Sequence, residues 1–169
     1  LGNQLESIII LRGAEYNRVG TNGDGESDNS ERNVISASVT RAGVAITGSG
    51  TDGNVVAGNL IGTNILGTGR LPNGTCGVVI NQGAQYNRVG TDGSRDVFNS
   101  NERNVISGNT TQGVEVAGTG TNWNVIAGNF IGTDSAGTTA LGNSQNGVLI
   151  SSGATLNRVG ATADDTGGL

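Results

Sequence analysis

Asn-Arg-Val-Gly occurs three times at a fixed interval: Asn17 to Gly20, Asn87 to Gly90 and Asn157 to Gly160, a period of 70 residues. Gly-Val pairs halve that period. They stand at Gly43-Val44, Gly77-Val78, Gly113-Val114 and Gly147-Val148, spaced 34, 36 and 34 residues apart, with Ser7-Ile8 one step earlier. A unit of this length cannot bury its own apolar face, so it must stack on its neighbours. The chain is therefore expected to form a solenoid whose 70-residue repeat is a doublet of two turns, each of about 35 residues.

Each turn carries three short strand signals. The first runs Ile8-Ile9-Ile10, Val44-Ala45-Ile46, Val78-Val79-Ile80, Val114-Glu115-Val116 and Val148-Leu149-Ile150. Outer positions are always aliphatic and the middle one varies, so alternation places the outer pair inward and the middle residue outward. The second signal pairs an Asn with an aliphatic residue two places on: Asn17 with Val19, Asn54 with Val56, Asn87 with Val89, Asn124 with Ile126 and Asn157 with Val159. Arg18, Val55, Arg88, Val125 and Arg158 lie between them and are expected to face out. The third signal pairs Asn33 with Ile35, Asn59 with Ile61, Asn104 with Ile106 and Asn129 with Ile131.

Three strands per turn give an all-β, right-handed parallel β-helix rising ~4.8 Å per turn, the spacing of paired strands. Residues 1–169 then form one segment of about five partial turns, read as a piece of a longer array. One turn cannot stand alone, because four inward aliphatics do not offset the entropy of ordering so many residues. The recurring Asn residues suit the corners. A corner amide can bond its counterparts above and below, and Asn tolerates the left-handed backbone that corners need. Loops at Thr21 to Glu31, Asn64 to Cys76, Thr91 to Glu102 and Asp134 to Asn146 are rich in Gly, Asn, Asp and Ser, as exposed turns are. Outward apolar residues Ile9, Val79, Leu149, Val34, Leu60, Val105 and Phe130 are expected to be covered by loop residues Ile65, Leu66, Leu71, Val97, Phe98 and Leu141, with an exposed contact surface as the alternative.

Asn124 to Thr133 (Asn-Val-Ile-Ala-Gly-Asn-Phe-Ile-Gly-Thr) and Asn104 to Asn109 (Asn-Val-Ile-Ser-Gly-Asn) resemble repeats of the pectate-lyase-like group of right-handed parallel β-helices. The closer resemblance is to repeats of large bacterial secreted or surface proteins. It covers essentially the whole chain and is specific for fold. It implies an extracellular or cell-surface location and a structural or adhesive role, with a carbohydrate-active or carbohydrate-binding β-helix as the alternative.

Composition removes several kinds of chemistry. Histidine and lysine are absent, so the commonest general base and the amine nucleophile are missing. The net charge of -5 and the lack of a basic run argue against duplex nucleic acid as a partner. No apolar stretch is long enough to span a bilayer as a helix. A single cysteine, Cys76, excludes an intrachain disulfide framework. Lyases of the group resemble one another in using Arg or Lys as base, but Arg18, Arg88 and Arg158 recur once per doublet, whereas an active site occurs once. They read as surface positions. Glu115 is the one acid at an outward first-strand position, flanked in register by Val79 and Leu149, so no second carboxylate pairs with it there. No catalytic residue is assigned.

Two binding sets remain. Trp123 stands where Gly53 stands in the neighbouring doublet, and Tyr16 and Tyr86 share that position with Leu156. Trp123, Tyr86 and Arg88 form a candidate contact set for a polysaccharide or other surface glycan, with the tyrosines also suited to packing. Asn22, Asp24, Glu26 and Asp28 place oxygen side chains at alternate positions around glycines, as calcium loops do, with an ordinary acidic turn as the alternative. Exposed sheet edges at the ends would favour end-to-end self-association.

Overall fold

The computed structural model describes residues 2–92 and 99–160. The first turn holds β1 (Ile8–Leu11), β2 (Arg18–Gly20), a single helical turn α1 (Asp28–Glu31) and β3 (Val34–Ile35). The second holds β4 (Val44–Thr47), β5 (Val55–Ala57) and β6 (Leu60–Ile61). The third holds β7 (Val78–Asn81), β8 (Arg88–Gly90), one turn of 3-10 helix at Asn99–Glu102 and β9 (Val105–Ile106). The fourth holds β10 (Val114–Ala117), β11 (Val125–Ala127) and β12 (Phe130–Ile131), and β13 (Val148–Ser151) with β14 (Arg158–Val159) begins a fifth.

Every strand pairs in parallel with its counterpart one turn away. The result is three sheets, ordered β1-β4-β7-β10-β13, β2-β5-β8-β11-β14 and β3-β6-β9-β12. Register follows the repeat: Ile8, Val44, Val78, Val114 and Val148 lie in one file. A second file is Val19, Val56, Val89, Ile126 and Val159. This is the parallel β-helix the spacing predicts.

The inward files make one continuous core. Val44, Ile46, Val56, Ile61, Val78, Ile80, Val89, Ile106, Val114 and Val116 are fully buried within it. β-branched residues dominate because the branched side chain suits a pleated surface packed on one face. Inward residues of the last turn, Ile150 and Val159, are exposed, because among the described residues no further turn lies over them.

Three asparagine ladders run up the corners. In the first, Nδ2 of Asn17 donates to Asn54 Oδ1 at 2.9 Å, Asn54 to Asn87 at 3.1 Å, Asn87 to Asn124 at 3.0 Å and Asn124 to Asn157 at 3.0 Å. The second links Asn33, Asn59, Asn104 and Asn129 in the same way. Each receiving Oδ1 also accepts the main-chain amide of the Asn that donates to it. The third ladder, Asn73 to Asn109 to Asn143, closes the corner that returns the chain to the first sheet. The strand pattern did not reveal this one. Its signal is an Asn four residues before each of the last three Gly-Val glycines.

The glycine of Asn-Arg-Val-Gly is dictated by the same corner. At Gly20, φ is +99° and a Cβ would lie 1.9 Å from Ala57 O; at Gly90, φ is +101° and the clash is with Ala127 O at 1.9 Å. Only glycine meets both the backbone angle and the approach.

Loop cover over the third sheet differs from the expectation. Leu60 and Val105 are buried, yet Ile65 and Leu66 stand 76% and 69% exposed. The cover is loop main chain instead. A methyl on Gly67 would come within 3.2 Å of Leu60 Cδ2, and one on Gly137 within 2.8 Å of the Phe130 ring. Ile9 and Val34 remain open to water. Val97 and Phe98 lie outside the described residues.

Candidate functional site

The outer face of the first sheet forms a concavity of about 400 Å³. Outward residues Ile9, Ala45, Val79 and Glu115 lie along it in register. Glu6, Arg41, Cys76 and Gln82 also line it, and Arg41 Nη1 meets Glu6 Oε1 at 4.0 Å. Thr47 Oγ1 and Asn81 Oδ1, neighbours in register at the ends of β4 and β7, are buried there without a hydrogen-bond partner. Such orphan groups carry a desolvation cost that a polar ligand could relieve. Cys76 is buried, and that burial, reinforced by the charge of Glu115, pushes its thiol up to about 11. It stays protonated at neutral pH and is no nucleophile.

The corner before the first Asn ladder carries the aromatic residues. Tyr16, Gly53, Tyr86, Trp123 and Leu156 each precede a ladder Asn, and all have φ between 55° and 67°. Backbone geometry there suits glycine, and a bulky residue is strained by roughly 1–2 kcal/mol. Tyr86 and Trp123 nevertheless stack, with ring centroids 6.3 Å apart and planes within 4° of parallel. Tyr16 lies against Gly53, where a methyl would meet its ring at 2.7 Å. Despite that packing, Tyr16, Tyr86 and Trp123 remain 82%, 59% and 46% exposed. The structure thus brings Tyr86 and Trp123 together on one accessible tier.

Arg88 is committed elsewhere. Its Nη1 lies 2.6 Å from Glu102 Oε2 and its Nη2 3.0 Å from Glu102 Oε1. Arg18, two turns before it in the repeat, reaches the same carboxylate at 3.3 Å, and the Asp92 amide adds a bond at 3.0 Å. The repeated arginine is therefore a clamp that pins the loop ending at Glu102 against the second sheet, where the sequence suggested a bare surface position. Sequence reasoning missed Glu102 because it was one loop acid among many. The usable signal is the triplet Glu-Arg-Asn, present at Glu31 to Asn33 and again at Glu102 to Asn104.

The acidic loop folds back on itself. Asn22 Nδ2 donates to Asp24 Oδ2, and Asp24 Oδ1 accepts the Glu26 amide. Asp28 accepts the Thr21 hydroxyl, the Gly25 amide and Asn101 Nδ2, and these bonds, led by that of Thr21, hold its carboxyl below the usual range. Three of the four candidate ligands thus already bond within the loop or to its neighbours. Among the described residues, no three His, Cys, Asp or Glu side chains gather as a metal-binding group.

The chain matches no family model, no curated protein and no solved structure. No helix among the described residues is long and apolar enough to cross a membrane.

Proposed function

We propose that this β-helix serves as a rigid repeat scaffold of a secreted or cell-surface protein of the bacterial, pectate-lyase-like kind, holding or displaying other parts of the molecule and contributing adhesion. The observation that carries this reading is the uninterrupted repetition of core files and Asn ladders from one turn to the next. Repetition of this sort supports a stiff rod, since each turn is locked to its neighbours by main-chain and Asn bonds alike. Among the described residues the first sheet ends on β1 and β13, and edges of that kind, where left uncovered, would let such segments associate end to end. An antibody raised against the chain is expected to label intact source cells or to recover the protein from their medium. Labelling only after permeabilisation would sink the secreted or surface reading.

A second reading is favoured by the exposed Tyr86–Trp123 stack: the scaffold also binds a glycan. Parallel rings on a solvent-facing corner suit pyranose faces, and the concavity over the first sheet offers Asn81, Gln82 and Glu115 to hydroxyl groups. In this reading Tyr86 and Trp123 make the contact, and Arg88 joins only by releasing Glu102. A glycan array tests it. Binding lost in Trp123→Gly supports it, and a silent array rejects it. Calcium at Asn22, Asp24, Glu26 and Asp28 belongs to the same proposal as an accessory. It would have to displace the bonds just described, and a melting temperature unmoved by millimolar calcium dismisses it.

A further inference from the structure

Among the described residues three arginines, Arg18, Arg41 and Arg88, are answered by an acid, but two that share a cavity are not. Arg32 and Arg103 follow Glu31 and Glu102 in the two Glu-Arg-Asn triplets. Each triplet's acid is already engaged. Glu31 accepts the Asn22 amide, and Glu102 is held by Arg88 and Arg18. Neither Arg32 nor Arg103 makes an ion pair among the described residues, whereas Arg18, Arg41 and Arg88 all do.

The two guanidiniums are fixed rather than loose. Arg32 Nε donates to Gly58 O at 2.9 Å, and Arg103 Nε donates to Gly128 O at 2.7 Å, in each case one turn further along the solenoid. Arg103 also lies over the Phe130 ring, 4.4 Å from its centroid. With the Nε of each fork anchored, the terminal nitrogens are left as preorganised donors. Arg32, Ser100, Arg103, Val105, Phe130 and Ser135 surround one cavity of about 160 Å³. Ser135 donates its hydroxyl to Leu66 O, and Asp134 beside it is tied to the amides of Thr138 and Thr139. Among the described residues, no acid lines this cavity.

We infer that Arg32 and Arg103 form a binding site for an oxyanion group, a carboxylate or sulfate, borne by an acidic glycan. Two guanidiniums converging on a small space match the geometry of such a group. Val105 and the Phe130 ring supply an apolar wall, which suits an anion carried on a sugar ring better than a bare ion. The chain's net charge of -5 repels densely charged polymers and favours a ligand whose charges are spaced along it. This site lies on the third sheet, apart from the aromatic tier and the first-sheet concavity, so its fate is independent of theirs.

Calorimetric titration of the whole chain at low ionic strength tests the inference, with oligogalacturonate, its carboxyl-reduced neutral counterpart and sodium sulfate as probes. Oligogalacturonate is expected to bind, and added salt to weaken it. Arg32→Gln and Arg103→Gln should each weaken it about tenfold, while Arg103→Lys, which keeps the charge without the fork, falls between. The neutral oligomer should not bind. Arg12→Gln serves as control, since Gln82 already occupies the equivalent corner one doublet on, with φ of 56° against 59°. Arg32 is exposed, so its variant keeps the test open should Arg103→Gln fold poorly. Absence of binding by oligogalacturonate and sulfate alike, or binding unchanged by both Gln variants, overturns the site. Sulfate binding with none to oligogalacturonate overturns the glycan as carrier.

Discussion

Arg88 holds Glu102 through both terminal nitrogens, at 2.6 and 3.0 Å, and so fastens the helical turn Asn99–Glu102 to the middle of a regular sheet. Because Arg18 reaches the same carboxylate from the first turn, one acid spans three turns of the solenoid. Glu102 is nearly buried and Arg88 largely so, whereas Arg18 is more open. Removing the acid leaves a poorly solvated guanidinium without its counter-charge. Glu102→Gln is expected to lower stability by roughly 2–4 kcal/mol. Arg18→Gln should cost under about 1 kcal/mol, as an exposed, longer pair does. Urea midpoints of the two variants check the order, and equal losses would show that the clamp does not depend on burial.

Position along an Asn ladder should set the cost of breaking it. Asn87 is fully buried and accepts both the side-chain and main-chain N–H of Asn54. Asn87→Ala strands those donors and Asn124 below a closed corner, at about 1–3 kcal/mol for each group left unmet. A total of roughly 3–5 kcal/mol is expected. Asn17, at the first rung, is exposed, and no ladder Asn donates to it among the described residues. Its alanine variant should lose about 1 kcal/mol or less. Comparable losses at both positions, read from chemical denaturation, would mean the ladder is not cooperative along its length.

These features were unequally legible. The inward files and two of the ladders follow from periodicity, because each turn repeats one side chain in one place and burial enforces it: Val89 and Ile126 sit where alternation puts them. The third ladder was readable in the spacing of Asn73, Asn109 and Asn143 from Gly-Val, but Asn73 and Asn143 close the longest stretches between strands in their turns, whereas Asn109 closes a short one, so the distance from the preceding strand does not repeat. The Arg88–Glu102 clamp was not readable. It joins a strand position to a loop position, and loop conformation follows from local turn chemistry rather than from the repeat. The Arg32–Arg103 cavity was hidden for a related reason. Its meaning lies in which acids are already engaged, a property of the folded chain alone.

Trp123 offers a reversal of the usual ranking of substitutions. With φ of 62°, the position is strained for any residue with a Cβ. Trp123→Ala keeps the strain and loses the stack on Tyr86, worth about 0.5–1.5 kcal/mol beyond buried area. Trp123→Gly loses the same stack but gains about 1 kcal/mol of backbone relief, as Gly53 already shows the corner can use. The glycine variant is therefore expected to be the more stable of the two and within about 1 kcal/mol of the parent. Urea midpoints with alanine equal to or above glycine would show that the left-handed geometry is not what governs this corner.

Asp134 and Asn64 occupy the same place in successive doublets, and the comparison isolates one titration. Asn64 Oδ1 accepts the amides of Leu66 and Thr68, and Asp134 Oδ1 accepts those of Thr138 and Thr139. The bonds from Thr138 and then Thr139 hold the Asp134 carboxyl below its ordinary value. A carboxyl with a depressed folded pKa binds its proton more readily in the unfolded chain, so its contribution is complete above the unfolded value. It fades as pH falls through that value and is gone below the folded one. Asp134→Asn keeps the acceptor and does not titrate. Melting temperatures of parent and variant should therefore run parallel at neutral pH and converge on acidification, with any parental advantage lost. Asp28, also depressed, titrates in both proteins and cancels from the difference. A gap that stays constant down to strongly acid pH would show that the loop amides do not distinguish the charged acceptor from the neutral one.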